Sequence, residues 1–255
     1  GAYKSPPGGG TSPVCLGDVV AIGNDQDGAS SLIGLDAATG KARWRIERTA
    51  DKTAFSTPCV RRTAGGQAEL IFTSTSHGIT AIDPKTGKMS WEMADAFPLR
   101  VVGSPMLADG LVVATCGTGG IGRRLVAVAP GGGAAKGSLA YEMPTPVPYV
   151  PTPVEVQGLL FLWGDKGSVS CLRAETGEKI WAQQLDGTFY GSPVCAGDRL
   201  FCISKEGTLF VIAADDKFQP VATVPLGERS FATPAIAGGT MFLRTETRLV
   251  AVGSK

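Results

Sequence analysis

Six times in this chain a serine or threonine stands directly before a proline, and an apolar residue or cysteine follows. Successive prolines are separated by 45, 47, 48, 40 and 41 residues. Such a period indicates one supersecondary unit copied six times, not two unrelated domains. The sites are Ser12-Pro13-Val14, Thr57-Pro58-Cys59, Ser104-Pro105-Met106, Thr152-Pro153-Val154, Ser192-Pro193-Val194 and Thr233-Pro234-Ala235.

Each repeat reads as a series of short strands joined by tight turns. In the fifth copy the turn Gly197-Asp198 precedes an apolar stretch over residues 199–203, and Ser204 to Gly207 separates it from another over residues 208–212. The 35 glycines fit a chain with many such turns, and no segment keeps a helical period. We therefore predict an all-β fold with four short antiparallel strands in each complete repeat.

Several predicted strands are apolar almost without alternation. The run Leu159-Leu160-Phe161-Leu162-Trp163 is the clearest, and Glu69 to Phe72 and Leu111 to Ala114 are similar. Such runs are typical of strands that are covered on both faces. Sheets that cover one another in this way at this period predict a β-propeller. The predicted parts are a Gly/Pro-rich lead-in at 1–10 and repeats at about 11–55, 56–102, 103–150, 151–190, 191–231 and 232–255.

Three repeats end in the same pattern, at residues 35–44, 82–91 and 172–181, where Thr-Gly precedes Trp by a fixed interval. Glycine supplies the positive φ of a tight turn, and Asp36 and Asp83 can accept hydrogen bonds from turn amides. The tryptophans Trp44, Trp91 and Trp181 read as large buried anchors. The third copy lacks Thr-Gly-Lys, and Tyr141 stands where the tryptophan is expected.

The run Asp-x-x-Thr-Gly-Lys-x-x-Trp resembles the tryptophan-docking motif of the PQQ-like β-propeller repeat family, which has the quinoprotein alcohol dehydrogenase-like fold. The resemblance covers residues 11 to 252 and is closest in character to the non-enzymatic BamB-like outer-membrane assembly proteins. In closed propellers of this family, the other terminus usually supplies a missing outer strand. The sixth repeat stops after its third strand, and residues 1–10 are unsuited to that role. We therefore expect further blades before residue 1, and eight in all.

Composition narrows the possible partners. The net charge of +1 argues against nucleic acid, which favours a concentrated basic face. No apolar run reaches the roughly 18 residues of a transmembrane helix. The first ten residues do not resemble a signal peptide and lack an initiator Met, so we expect the chain to begin inside a longer protein. An extracytoplasmic location, in the periplasm or cell envelope, is implied by the resemblance only.

The six cysteines and the single His77 lack the ligand spacing of zinc or iron–sulfur sites. Cys15, Cys59 and Cys195 fall just after the repeated proline, which reads as small buried apolar positions. Cys195 and Cys202 flank one hairpin turn, and the sequence leaves open whether they form a local disulfide.

The resemblance implies that a dehydrogenase of this family would need calcium-binding oxygens, a general-base Asp and a stacking site for the quinone. The sequence contains one asparagine, in Asn24-Asp25-Gln26-Asp27-Gly28, which reads as a polar hairpin tip more simply than as a calcium loop. His77 reads as a turn residue. We therefore assign no catalytic, cofactor or metal residue, expect neither PQQ nor calcium on this segment, and lean against an enzyme.

A candidate site comes from the register of the repeated proline. Aromatic residues and arginines recur three to five positions before it, where the chain enters the innermost strand. They are expected to ring one mouth of a propeller channel as a protein-binding surface. The alternative is that they plug the channel or wedge between blades. The candidates are Phe55, Arg100, Tyr149, Tyr190, Arg229 and Phe231, and Phe189 stands beside Tyr190 in the same segment.

The sequence therefore favours a non-catalytic, BamB-like scaffold that binds a protein or peptide in cell-envelope or outer-membrane protein assembly. One alternative is a PQQ-dependent quinoprotein dehydrogenase whose active-site residues lie upstream of residue 1. Another is a propeller that senses carbohydrate or another ligand through its aromatic residues. The sequence leaves the identity of the partner and the oligomeric state open.

Overall fold

The computed structural model describes Lys4, residues 8–132 and residues 136–253. The predicted lead-in at 1–10 thus lies outside the described residues except for Lys4 and residues 8–10. Over these ranges the chain forms strands and one 3-10 turn, Ala94–Ala96. The first twelve strands are β1 (Val14–Leu16), β2 (Val19–Asn24), β3 (Gly28–Asp36), β4 (Ala42–Ala50), β5 (Cys59–Arg62), β6 (Ala68–Ser74), β7 (Gly78–Ile82), β8 (Met89–Met93), β9 (Met106–Ala108), β10 (Leu111–Thr118), β11 (Ile121–Ala129) and β12 (Ser138–Val147). The others are β13 (Val154–Val156), β14 (Leu159–Trp163), β15 (Ser168–Arg173), β16 (Lys179–Gln184), β17 (Val194–Ala196), β18 (Arg199–Ile203), β19 (Thr208–Ala213), β20 (Pro220–Pro225), β21 (Ala235–Ala237), β22 (Thr240–Arg244) and β23 (Leu249–Gly253).

Each repeat folds into one sheet whose strands follow the order of the chain. The sheets are β1–β4, β5–β8, β9–β12, β13–β16, β17–β20 and β21–β23, so in the described ranges five have four strands and the last has three. Antiparallel pairing throughout lets short hairpin turns join neighbouring strands. The predicted four-stranded antiparallel repeat is confirmed, whereas the repeat boundaries and the count of eight blades stay predictions.

The chain divides into two compact units. The N-terminal unit runs to Thr118 and includes Arg123–Met143, and the C-terminal unit comprises Gly119–Gly122 and the chain from Pro144 onward. In both units the middle strands of the sheets carry the core. The run over β14 is buried from Leu160 to Trp163, as its uninterrupted apolar sequence predicts.

The two Asp-containing docking turns have the predicted hydrogen bonds. Thr39 N donates to Asp36 Oδ1 at 2.8 Å, and Lys85 N and Thr86 N donate to Asp83 Oδ1 at 2.8 and 3.0 Å. These carboxylates satisfy turn amides that the strand ladder leaves unpaired.

Trp44 shows how a tryptophan docks on the turn of the next repeat. Its Nε1 donates to Pro84 O at 2.8 Å, and its ring covers Gly87, which has φ +71°. A Cβ on Gly87 would lie 2.7 Å from Trp44 Cγ, so the turn requires glycine for both conformation and space. Trp44 and Trp91 are buried, and Trp181 is partly buried with its Nε1 donating to Asp215 O at 3.1 Å. The interpretation as large buried anchors is confirmed for Trp44 and Trp91, whereas Trp181 is buried only in part.

The hydroxyl residues before the repeated prolines link successive sheets. In the N-terminal unit Ser12 N donates to Thr57 Oγ1 at 3.2 Å, and Thr57 N donates to Ser104 Oγ at 3.0 Å. In the C-terminal unit Thr152 N donates to Ser192 Oγ, and Ser192 N donates to Thr233 Oγ1, both at 2.9 Å. Four of the six hydroxyls, those of Thr57, Ser104, Ser192 and Thr233, thus satisfy a backbone N–H of the preceding repeat, which gives the period a physical reason.

All six cysteines are free thiols, so the Cys195–Cys202 disulfide left open by the sequence is not formed. Cys195 pairs with Leu200 across the hairpin, whereas Cys202 pairs with Phe210 on the next strand. The expectation of buried cysteines after the proline is wrong for Cys15, which is exposed; Cys59 and Cys195 are partly buried. Strand β1 is at the edge of its sheet, where one face of the strand remains open.

A membrane-spanning helix would need a long apolar helical segment, and the described part of the chain contains none.

Candidate functional site

All six candidate residues lie in the segments that lead into the first strand of a sheet, which is where the register placed them. Phe55 and Arg100 belong to the N-terminal unit, before β5 and β9. The other four, Tyr149, Tyr190, Arg229 and Phe231, belong to the C-terminal unit, before β13, β17 and β21. Their part in binding stays a prediction.

In the N-terminal unit Phe55 and Arg100 form one cluster. The Arg100 guanidinium carbon lies 6.0 Å from the centre of the Phe55 ring, within the range of a cation–π contact. Phe55 is partly buried and lies on Gly10, where a Cβ would be 2.8 Å from its ring. The lack of a side chain at residue 10 therefore lets the ring settle against the backbone.

The segment from Asn24 to Gly28 joins β2 to β3 as the hairpin tip that its sequence indicates. The side chains of Asp25 and Arg48 are only 4% and 7% exposed and form a bidentate ion pair, with Arg48 Nε 2.6 Å from Asp25 Oδ1. Asp27 Oδ1 accepts from Thr53 Oγ1 and Thr53 N at 2.9 and 2.8 Å. Because donors of the protein already occupy both carboxylates, the donor set does not fit a calcium ion.

The same contacts affect the pKa of Asp27. The hydrogen bonds from Thr53, with a smaller contribution from the charge of Arg100, hold the pKa of this carboxyl below its usual range. Asp27 thus fixes the segment that leads to Phe55 while it is ionised.

In the C-terminal unit Tyr190 and Phe231 stack on each other in the open. Their ring centres are 6.0 Å apart with an interplanar angle of 24°, and the residues are 38% and 49% exposed. Lys205 Nζ lies 5.5 Å from the Tyr190 ring and 5.8 Å from the Phe231 ring. The guanidinium carbon of Arg229 lies 5.2 Å from the Phe231 ring. We call these four residues, Tyr190, Lys205, Arg229 and Phe231, the aromatic–cationic face.

Sequence reasoning missed Lys205. It lies at the tip of the β18–β19 hairpin, directly before Glu206-Gly207, and its backbone N donates to Thr188 O at 2.6 Å. One signal in the sequence could have pointed to Lys205: it lies in the turn that aligns with the His77 turn of the second repeat. The sequence of one repeat does not show that Lys205 contacts both Tyr190, which precedes β17, and Phe231, which precedes β21.

Tyr149 differs from the other aromatic candidates because it is only 9% exposed. Tyr149 N and Val150 N donate to the two carboxylate oxygens of Asp165 at 2.7 and 3.0 Å. Burial raises the pKa of Asp165, and these backbone hydrogen bonds oppose that rise. The packing alternative therefore describes Tyr149, which cannot offer an open ring to a partner as the binding interpretation required.

The distance from the repeated proline goes with this difference. Tyr149 and Phe189 both lie four residues before their proline and are buried, whereas Tyr190 and Phe231 lie three before theirs and are exposed. Phe189 accordingly packs in the core, with ring centres 5.7 Å from both Trp163 and Phe210.

His77 lies in the turn between β6 and β7, as predicted, and its Nε2 is 2.9 Å from Thr49 O. This contact ties the turn to the preceding strand β4. It gives the residue a structural role in the N-terminal unit.

The sequential antiparallel sheets and the tryptophans docked on the turn of the next repeat together define a class of protein: a β-propeller built from PQQ-like repeats. The family described as "Outer membrane protein assembly factor BamB" matches the chain over residues 3–146 and again over 124–255. The chain belongs to this PQQ-like β-propeller family, which confirms the predicted family and fold class.

Two curated relatives represent both branches of the family. Quinohemoprotein alcohol dehydrogenase ADH IIB of Pseudomonas putida is 33% identical over 98 residues, 36% of this chain and 14% of that protein. Outer membrane protein assembly factor BamB of Moranella endobia (strain PCIT) is 23% identical over 238 residues, 87% of this chain and 59% of that protein. The chain therefore spans less than two thirds of the length of either relative.

Among solved structures, a europium-containing methanol dehydrogenase superposes with a TM-score of 0.69 and 14% identity. The superposition covers 96% of this chain and 62% of the dehydrogenase. At this identity the likeness shows the fold alone.

Proposed function

We propose that this chain is part of a non-catalytic propeller scaffold that binds a protein partner through its aromatic–cationic face. The observation that carries the proposal is the exposed stack of Tyr190 and Phe231, flanked by Lys205 and Arg229. Tyrosine and arginine are enriched among the residues that dominate protein–protein binding energy. The face combines both in one short stretch of surface.

The exposure of the stack supports a role beyond packing. Phe189, one position from Tyr190, is fully buried and already fills the core at this point. Tyr190 and Phe231 keep much of their apolar area in water, although its burial would be favourable by about 25 cal/mol per Å². A partner that covers the two rings would recover that free energy.

The family match supports the kind of partner and the location. BamB of Moranella endobia is named as an outer membrane protein assembly factor. By analogy we place this chain outside the cytoplasm, in the cell envelope, with a protein or peptide as its partner. The face carries two cations, and a nucleic acid would need a larger basic surface.

A quinoprotein dehydrogenase is the second candidate, favoured by the 33% identity to the P. putida enzyme over 98 residues. When bound, PQQ would supply the electron-accepting chemistry. Against this candidate, the carboxylates of Asp25 and Asp27 are held by Arg48 and Thr53. The candidate is tested by incubating the full-length protein with PQQ and Ca²⁺ and measuring quinone retention by absorbance after desalting. A stoichiometric, calcium-dependent chromophore would support the dehydrogenase.

The scaffold is tested by affinity capture from cell envelopes, with full-length protein as bait and mass spectrometry as readout. The test bait carries Tyr190→Ala and Phe231→Ala. The control bait carries Val221→Ala and Val224→Ala, because these two valines are similarly exposed but lie on the outer strand β20.

We expect one envelope protein to be retained by the wild-type and control baits and lost from the test bait. Direct binding of that purified protein should then weaken at least tenfold in the test variant. Equal retention by all three baits would reject this face as the binding site.

A further inference from the structure

We propose that the segment recognised by the aromatic–cationic face is an acidic peptide stretch that carries an aromatic or large apolar side chain. This inference rests on the proposed protein-binding function and specifies the chemistry of its partner. It is argued from the charges, the contacts and the cavity around Tyr190 and Phe231.

The cations of the face are weakly neutralised by the protein itself. Arg229 has one carboxylate contact, 3.9 Å from Glu246, and both of these side chains are about half exposed. Such an exposed, long contact contributes little to stability. Within the described ranges no carboxylate forms an ion pair with Lys205. Both positive charges are thus available to a ligand.

The acidic residues next to Lys205 and Arg229 in the sequence are engaged in holding the loops. Glu206 Oε2 accepts from Thr188 N at 3.0 Å. Glu228 accepts from Thr245 Oγ1 at 2.6 Å and from Thr247 Oγ1 at 2.8 Å, and it pairs with Arg248 at 2.9 Å. Glu228 is thus paired with a different cation, and within the described residues neither Glu206 nor Glu228 forms an ion pair with Lys205 or Arg229. The face therefore complements a negative ligand.

The position of the two cations also favours a peptide in which acidic side chains stand next to an aromatic or apolar one. Lys205 Nζ lies at similar distances from both rings, and Arg229 covers Phe231. A carboxylate that approaches the edge of the stack can pair with either cation, while an apolar side chain of the same peptide covers the exposed rings. The guanidinium group of Arg229 is suited to this arrangement because such a group can stack on a ring and bind a carboxylate at the same time.

A cavity of about 230 Å³ extends the face beside Phe231, lined also by Ala232, Arg244, Thr245 and Glu246. It is smaller than the sites that enclose whole small-molecule ligands, but its size suits a peptide side chain. Arg244 is exposed at its wall and adds a third cation. The cavity gives the apolar residue of the peptide a place next to the stack.

The test measures binding of two fluorescent peptides to the full-length protein by anisotropy. One probe is Gly-Ser-Glu-Phe-Glu-Asp-Gly-Ser, and the other replaces its acidic residues by Gln and Asn. The test variant is Lys205→Gln with Arg229→Gln. The control variant, Arg173→Gln with Arg199→Gln, removes the same charge at the opposite strand ends of the C-terminal unit. Matching circular dichroism and melting temperature establish that both variants fold.

We expect the acidic probe to bind at least tenfold more tightly than the amide probe. Its affinity should fall at least tenfold in the test variant, less than twofold in the control variant, and steeply with added salt. Lys205→Arg should restore most of the loss in the Lys205→Gln single variant. Equal binding of the two probes, or an equal response of the two variants, would overturn the acidic-peptide inference.

A second measurement separates this inference from the proposed function. The envelope protein captured by the wild-type bait is titrated with the Lys205→Gln, Arg229→Gln variant, whether or not either probe binds. Undiminished binding there, together with loss in the Tyr190→Ala, Phe231→Ala variant, rejects the acidic chemistry and keeps the scaffold. Undiminished binding in both variants rejects the scaffold site itself. Saccharide binding on a glycan array, abolished by Tyr190→Ala, would also overturn the acidic-peptide inference.

Discussion

The Phe55 cluster of the N-terminal unit and the aromatic–cationic face of the C-terminal unit share two features: each has a phenylalanine three residues before a repeated proline and an arginine five residues before one. In the first, the ring of Phe55 rests on Gly10 and is partly buried, and Arg100 Nε is inaccessible to solvent. In the second, the ring of Phe231 rests on the ring of Tyr190, and both remain open. Phenylalanines at the same distance from the repeated proline thus lie in a partly buried cluster in one unit and on an exposed surface in the other.

The difference comes from the neighbour that each ring meets. Glycine at position 10 leaves room for a ring to approach the backbone, whereas a tyrosine at the same register position holds the next ring away from it. The size of one side chain in the adjacent repeat thus decides whether an aromatic residue packs or is presented to solvent.

The largest effect should separate two adjacent residues of the C-terminal unit. Phe189→Ala removes a fully buried ring that contacts Trp163 and Phe210, and should lower the free energy of unfolding by about 3–5 kcal/mol. Tyr190→Ala should change it by no more than about 0.5 kcal/mol. Urea unfolding followed by tryptophan fluorescence measures both. Equal losses would show that the exposed stack is part of the core.

A smaller effect should separate the two clusters directly. Phe55→Ala should lower the free energy of unfolding by about 1–2 kcal/mol, because the ring is partly buried against Gly10. Phe231→Ala should cost less than about 0.5 kcal/mol. Thermal unfolding of the two variants beside wild type measures the order. The reverse order would remove the distinction between a closed and an open cluster.

The smallest effect concerns how the contribution of Glu228 to stability depends on pH. Glu228 holds the loop beside the aromatic–cationic face. Hydrogen bonds from Thr245 and Thr247, then the charge of Arg248, lower the pKa of Glu228 to about 2. Since its unfolded pKa is near 4.5, its stabilising contribution is complete above that pH and is lost as pH falls toward 2. The difference in stability between wild type and Glu228→Gln should therefore shrink from pH 6 to pH 2.5. A difference that grows in acid would contradict this assignment.

In the N-terminal unit, the contribution of Asp27 to stability should depend on pH in the same direction as that of Glu228. Its pKa is also lowered, chiefly by the hydrogen bonds from Thr53, so Asp27→Asn should converge with wild type in the same direction as the pH falls. A common response would show that both entry segments are held by ionised carboxylates, although only one presents an open face.

The fold could be predicted in detail because its signals are local and repeated. The strands β18 and β19 lie where the apolar runs of the fifth repeat placed them, and Asp36 and Asp83 accept the turn hydrogen bonds expected of them. The hydroxyl residues before proline were recognised as a pattern but not as donors and acceptors to the next repeat. That role depends on a contact across 40 or more residues, which one repeat cannot reveal.

The candidate site could be predicted only in part. Register placed Phe55, Tyr190 and Phe231 before their sheets, yet it treated Tyr149 as equivalent although that residue is buried, and it overlooked Lys205. Tyr149 lies one position further from its proline than Tyr190 and Phe231 do, and the register argument treated both positions alike although the structure buries one and exposes the other.

By itself the sequence determined the period, the four-strand unit, the docking turns and the family, because each depends on residues close in the chain and recurs several times. The tertiary structure decided which aromatic rings are open, which carboxylates are occupied and which cations lie over the stack. These properties arise where neighbouring repeats meet. There the size and charge of a residue some forty positions away set the burial and the electrostatic surroundings of each side chain.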